Sequence, residues 1–273
     1  MQLSAIHTYP VKGCHRLDHD GAQVLPWGLA GDRRWMVVDA DGVGVTQRET
    51  QRLVGLHATL HDGGLLLRAD GRPDLQVPEP TGGEPLPVRT FRSRKLPVPA
   101  LPAGPAADDW LGALLDRPVR LVFLARPTRH LAADTRTHDT GDQVSFADAY
   151  PLLLANTASL TALNDWLAEA GEEPVPMSRF RPNLVVDGAP AWAEDDWEGR
   201  PLRIGEVTFR AAGSCDRCVV TTTDQETGVR HREPLRTLGR YRNVRQKLLF
   251  GLHLVPTGTG PLTVGEPLTL LER

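Results

Sequence analysis

The segment GSCDRCVVTTTDQETG, residues 213–228, holds two of the chain's three cysteines, Cys215 and Cys218, separated by Asp216 and Arg217. A Cys-x-x-Cys pair can be half of a zinc site. Here the only other cysteine is Cys14 and no histidine stands at ligand spacing, so a closed tetrahedral set would have to be assembled piecemeal. A thioredoxin-like redox pair normally precedes a helix, whereas the β-branched residues 219–223 predict a strand. A third chemistry is a single thiolate on a rigid strand end. Arg217, just before Cys218, would favour its ionised form, and the sulfur would suit a heavy transition metal held mainly by other ligands. The fourth reading is two buried cysteines packing as small hydrophobes.

Other motifs narrow the field by their absence. There is no P-loop lysine motif, no GxSxG elbow and no HExxH helix. The run Gly258-Thr259-Gly260-Pro261 superficially suggests a phosphate loop, but the alternating residues after it predict a turn and a strand, not the required helix. With 31 Lys and Arg against 34 Asp and Glu the net charge is -3, so the whole chain has no pull toward nucleic acid or an anionic membrane, and any anion site must be local. The start MQLSAIHTYP has no basic and apolar leader pattern, and no stretch approaches the ~20 apolar residues of a membrane span. Three cysteines are too few for a disulfide framework. The expectation is a soluble cytoplasmic protein with reduced thiols.

The elements that must position these residues read as mainly β. Residues 3–11 predict a strand; 34–38 and 43–46 predict a hairpin about Asp39-Ala40-Asp41-Gly42; residues 53–60 and 65–67 predict a second hairpin. The proline-rich residues 96–105 predict an extended connector, with the domain linkage near or just after it. Asp108 and Asp109 open a short helix carrying Trp110, Leu111, Leu114 and Leu115, and residues 119–124 form a strand. Residues 126–142, polar and without apolar period, predict a loop beside the substrate entrance, carrying Arg129, His130, Arg136 and His138. Asn156 or Thr157 caps a helix with Leu160, Leu163, Trp166 and Leu167 on one face, ending by Gly171. Strands are expected at 183–186, 202–211, 219–223 and 262–271, with a short helix begun by Glu233-Pro234.

Six strings, in order along nearly the whole chain, carry a resemblance: YPVKGC (9–14), GDRRWMVVD (31–39), VTQRE (45–49), FADAYPLLL (146–154), RFRPNLVV (179–186) and SCDRCVVTTTD (214–224). The chain resembles the MOSC superfamily, and within it is similar to the mitochondrial amidoxime-reducing component and the bacterial N-hydroxylaminopurine reductases. The resemblance implies an α+β, mainly β chain with few helices. An N-terminal β-barrel domain would span residues 1–118 and a β-rich MOSC domain residues 119–273, with a molybdenum pterin between them. The family description also carries pyridoxal phosphate binding, to which no residue here is assigned.

Carried over, the molybdenum-ligating and catalytic cysteine falls on Cys218, leaving Cys215 without a ligand role. The pterin phosphate positions fall on Lys12, Gly13 and Arg33, cations and a backbone donor suited to an anion. Asp148, Arg181 and Asn183 match positions lining the pterin, whose amino and amide edges suit a carboxylate and a carboxamide. Arg217 joins the cofactor-binding set. Departures from the pattern are Gly13 for a common serine, Gln225 for a usual proline, and Asn156-Thr157 for Ser-Glu.

The implied reaction is reduction of N-hydroxylated, or N-oxygenated, small molecules by oxygen-atom transfer at the molybdenum cofactor. The chain lacks the four cysteines of an iron–sulfur cluster. Electrons would therefore come from a separate ferredoxin, flavodoxin or cytochrome b5 type protein. A non-catalytic carrier of the cofactor or of sulfur, and an interaction module with a degenerate site, are the other readings.

Overall fold

Residues 152–155 are Leu-Leu-Leu-Ala, an apolar run of the kind that forms a strand covered on both faces, and they and the following Asn156 are all buried. The computed structural model describes residues 1–61, 63–91, 96–127, 129–130 and 141–272. In it Leu152–Asn156 lies near the middle of a nine-stranded sheet. One neighbour is the parallel strand Leu184–Asp187, and the other is the antiparallel strand Lys247–Pro256. Beyond Leu184–Asp187 come Gln2–Thr8 and Leu17–His19; beyond Lys247–Pro256 come Val207–Asp216, Pro201–Ile204 and Leu268–Leu270. One face buries Leu3, Ile6, Leu154, Leu184, Phe209, Leu252 and their neighbours.

A second sheet runs Trp35–Val38, Arg120–Phe123, Val98–Pro102, Leu86–Val88. Smaller sheets join His57–His61, Gly64–Arg68 and Leu75–Pro78, and Gly260–Thr263, Gly21–Leu25 and Gly28–Leu29. The first hydrophobic helix, Pro105–Leu115, closes this part with Trp110, Leu111 and Leu115 turned inward. The mainly β expectation with a few helices holds, with three α-helices among the described residues.

The helix Thr157–Glu169 begins as expected: the Asn156 side chain accepts the Ala158 N–H at 3.1 Å. Its Leu163 and Leu167 pack against Phe180, Leu238 and Phe250.

Several elements differ from expectation. The proline-rich connector contains a strand, Val98–Pro102, which pairs with Leu86–Val88 over its first three residues and with Arg120–Phe123 over its last two. Neither ladder is long, so the missing N–H groups of Pro99 and Pro102 interrupt no continuous pairing. Residues 202–211 belong to a hairpin, Pro201–Ile204 and Val207–Asp216, because Gly205 takes a left-handed φ of 55° at the turn. Residues 262–271 divide between two sheets. Residues 43–46 make only the isolated bridges Val38 to Gly44 and Val43 to Arg89 rather than a full hairpin. Residues 51–55 form a 3-10 turn before the second hairpin. Most relevant to the site, Val219–Thr222 is a 3-10 turn, not a strand. The threonine hydroxyls explain this local choice, since Thr221 and Thr222 donate back to the Cys218 and Val219 carbonyls.

Of the long loop, Arg129–His130 pairs with Gln143–Val144. Arg136 and His138 lie outside the described residues. Arg129 is turned to the chain that follows, donating to the Ser145 and Ala147 carbonyls. No helix among the described residues is long and apolar enough to cross a membrane.

Candidate functional site

All eight residues singled out from the sequence, Lys12, Gly13, Arg33, Asp148, Arg181, Asn183, Arg217 and Cys218, line one cleft of about 370 Å³. They reach it from turns and strand ends, where the backbone leaves its ladders. Gly13 has φ 82°, Arg33 has φ 47° and Arg181 has φ 53°. The two arginines hold conformations that side-chain-bearing residues seldom adopt, which aims both inward.

Tyr9 organises the pair. It is buried, its hydroxyl donates to the Pro182 carbonyl at 3.0 Å, and burial pushes its pKa up to about 12. The Arg33 and Arg181 guanidinium carbons lie 4.4 and 4.1 Å from its ring centroid. Arg33 also pairs with buried Asp32 and donates to Asn183 Oδ1 at 3.0 Å. Asn183 is fixed from both ends, because its amide nitrogen donates to the His7 carbonyl at 3.1 Å and its oxygen accepts the Leu153 N–H at 3.3 Å. Arg181 donates to the Cys14 carbonyl at 2.8 Å and to Gln225 Oε1 at 2.7 Å. Gln225 is itself buried. Here it exchanges two 3.0 Å hydrogen bonds with Gln47, tying residues from distant parts of the chain together under the cleft.

The second cluster centres on Asp148. Lys12 donates to one of its oxygens and to the Phe146 carbonyl at 2.8 Å, and Arg48 donates to the other oxygen at 3.0 Å. Burial alone would raise the Asp148 pKa, but Lys12 and Arg48 hold it well below the usual carboxylate range. Burial brings Lys12 down to about 8, with Asp148 opposing the shift. The other nitrogen contact of Arg48 is Cys218 Sγ at 3.5 Å.

That contact corrects one expectation. Arg217 does not face the Cys218 sulfur; its guanidinium lies 2.8 Å from Cys215 Sγ and 2.7 Å from the Phe180 carbonyl. Residues two apart on extended chain point to the same side, which turns Arg217 toward Cys215 and away from Cys218. Burial would raise the Cys215 thiol, but Arg217 and His253 bring it down to about 7. Both cysteines are free; Cys215 is buried and Cys218 only partly so. Among the described residues no three His, Cys, Asp or Glu converge on the pair.

Among the lining residues to which the sequence gives no role, Arg48, Gln47 and His253 carry polar chemistry into the cleft. Arg48 and Gln47 sit within VTQRE, a string whose resemblance carries no role for individual residues. His253, stacked on Tyr150 at 4.5 Å, comes from a strand whose sequence, KLLFGLHLVP, gives no motif.

The cleft therefore gathers Lys12, Arg33, Arg48, Arg181 and Arg217 against Asp148 and Asp216, a local cationic excess in a chain of net charge -3. With an accessible thiol at one wall and a fixed carboxamide at another, the donor set fits an anionic, hydrogen-bonding cofactor bearing a thiophilic metal.

The chain is similar to known families and proteins along most of its length. The MOSC N-terminal beta barrel domain matches residues 1–118, and the MOSC domain matches residues 141–269. Mitochondrial amidoxime-reducing component 1 of Homo sapiens is 36% identical over 99% of this chain and 83% of its own length. Mitochondrial amidoxime reducing component 2 of Bos taurus is 32% identical over 97% and 82%. Among solved structures, the YUAD protein from Bacillus subtilis aligns over 98% of the chain and 93% of its own at 8% identity and a TM-score of 0.43. With both halves matched and full-length relatives at this identity, the chain belongs to the MOSC family, in the branch that holds the amidoxime-reducing components.

Proposed function

We propose that the protein is a molybdenum-cofactor-dependent reductase of N-hydroxylated compounds that takes its electrons from a separate carrier protein. The observation that carries this reading is the convergence of an accessible Cys218 thiol with five cations and Asn183 in one cleft. The relatives' names, which describe amidoxime reduction, supply the substrate class.

In this reading Cys218 is the metal ligand. Lys12, the Gly13 N–H and Arg33 hold the phosphate, while Asp148, Arg181 and Asn183 face the pterin. When bound, the molybdenum cofactor supplies two-electron oxygen-atom-transfer chemistry. The chain's own work is positional and electrostatic. Tyr9 holds Arg33 and Arg181 apart at fixed angles, so the anion meets cations that need little reorganisation. Arg48 spans Asp148 and Cys218 and keeps a positive charge beside the sulfur that would hold the metal. Arg217 stabilises Cys215 rather than the ligand position, consistent with a supporting place for Cys215.

The test is molybdenum analysis of protein made in a cofactor-competent host, followed by turnover of an amidoxime with a chemical reductant. Stoichiometric metal with turnover is expected. Metal without turnover would make the chain a carrier, and protein that takes up no metal in that host would overturn the reading.

A further inference from the structure

Residues 230–247 carry seven of the chain's 31 lysines and arginines and one acid, Glu233. Three of the cations are engaged. Arg230 donates to the Gln47 carbonyl, Arg236 pairs with Glu172 and Glu233, and Arg242 pairs with Asp195 while covering the Trp192 ring at 4.3 Å. The other four, Arg232, Arg240, Arg245 and Lys247, are exposed and make no ion pair among the described residues. Amid them in the sequence stand Tyr241 and Val244, 45% and 49% exposed. An apolar centre ringed by cations is the anatomy of a protein-docking patch rather than of a solvated charged face.

The patch is built to keep its shape. Tyr241 stacks on Trp166 at 4.5 Å, and Trp166 stacks on Trp192 at 5.2 Å. Arg245 and Gln246 hold left-handed φ values of 51° and 66° at the tight turn between Asn243–Val244 and Lys247–Pro256, where Asn-Gly would be comfortable.

The patch also adjoins the cleft on its cysteine side. The Arg217 N–H donates to the Leu248 carbonyl at 2.8 Å, and the Asp216 carboxylate accepts the Leu248 N–H at 2.9 Å. The helix Leu235–Tyr241 packs on the Val219–Thr222 turn that follows Cys218.

We propose that this surface, centred on Tyr241 and Val244 and ringed by Arg232, Arg240, Arg245 and Lys247, docks an acidic electron-carrier protein. The proposal rests on the reductase reading for its purpose. Converting an N–OH group to N–H breaks one N–O bond, consumes two electrons and two protons, and releases the oxygen as water. A reduced one-electron carrier must therefore visit twice and leave oxidised each time. Such traffic is served by charge-steered, short-lived contacts beside the site, which an open basic ring around a small apolar centre provides. A polynucleotide or an anionic membrane would also meet the charges, but neither has a use for the place beside the cleft.

The experiment uses the cofactor-loaded protein, a triple variant R232E/R240E/K247E, and three acidic probes: a ferredoxin, a flavodoxin and a soluble cytochrome b5 domain. Binding is measured by titration at low and high salt, and turnover is driven either by the reduced probe or by a chemical reductant. We expect at least one probe to bind, salt to weaken it, and the variant to lose about tenfold or more in binding and in probe-driven rate. Molybdenum content, thermal unfolding and the chemically driven rate should stay at parental values. Because binding is read independently of turnover, a protein that turns over no N-hydroxylated compound defeats the reductase reading while a charge-dependent probe complex still upholds the surface. Probe binding unchanged in the variant, no binding by any probe, or losses confined to a polynucleotide or an anionic vesicle would each overturn the proposal.

Discussion

Cys218 and Cys215 differ by three positions and by everything around them. Cys218 is partly exposed with Arg48 at 3.5 Å, whereas Cys215 is buried against Arg217. Cys218→Ser should lower amidoxime turnover at least as far as the roughly 10–100-fold seen when a metal's supporting contact is lost, and should change the metal spectrum. Cys215→Ser should leave the spectrum parental and turnover within a few-fold. The two phosphate cations also separate. Lys12→Ala leaves Asp148 half-exposed and still paired with Arg48, so cofactor occupancy under limiting supply should fall by the equivalent of roughly 1.5–3 kcal/mol while the fold persists. Arg33→Ala leaves the buried Asp32 carboxylate with the Tyr9 N–H but without its cation, and losing a buried charge partner costs about 3–5 kcal/mol, so thermal unfolding should register it first. Residue identity was legible because lysine, arginine, asparagine and cysteine announce their chemistry by type. The partner of each was not, since Arg48 reaches Cys218 across 170 positions of chain.

At the level of elements, long apolar runs and capped helices read correctly, and turns inside β-branched sequence did not. The Asn156 cap was visible because an Asx residue before an apolar period has one outstanding use. The 219–222 turn was hidden because its threonines satisfy their own backbone, a choice that composition alone does not separate from a strand. Nor did the sequence mark where Lys247–Pro256 bends. Gly251 takes φ 81° there, and a Cβ at that position would meet the Leu154 carbonyl oxygen at 2.8 Å. The strand carries Phe250 and His253 on either side of it. Gly251→Ala should therefore cost at least ~1 kcal/mol in chemical denaturation and loosen the cleft wall that His253 forms.

Across the whole molecule, charge is partitioned: a net -3 overall, yet a cationic cleft and a cationic patch beside it. One consequence can be followed by pH. Lys12 is held at about 8, below its usual value, so between that pH and about 10.5 the folded protein binds fewer protons there than the unfolded chain. Its contribution to stability therefore rises with pH in that window, while its hold on an anion weakens as the proton leaves. Melting temperature and cofactor retention, followed from neutral pH upward, should diverge in this sense, and Lys12→Met should lack both Lys12-dependent trends.

The same whole-molecule view bears on how the protein is made. Gln2–Thr8 is a strand synthesised well before Leu184–Asp187, its partner inside the nine-stranded sheet. At a synthesis rate of about 5–20 residues per second, that strand waits roughly 10–35 seconds for its partner. During the wait its apolar Leu3 and Ile6, fully covered in the finished protein, have no sheet to enter. Over that interval the edge of the strand is open to pairing with a neighbouring chain on the same polysome.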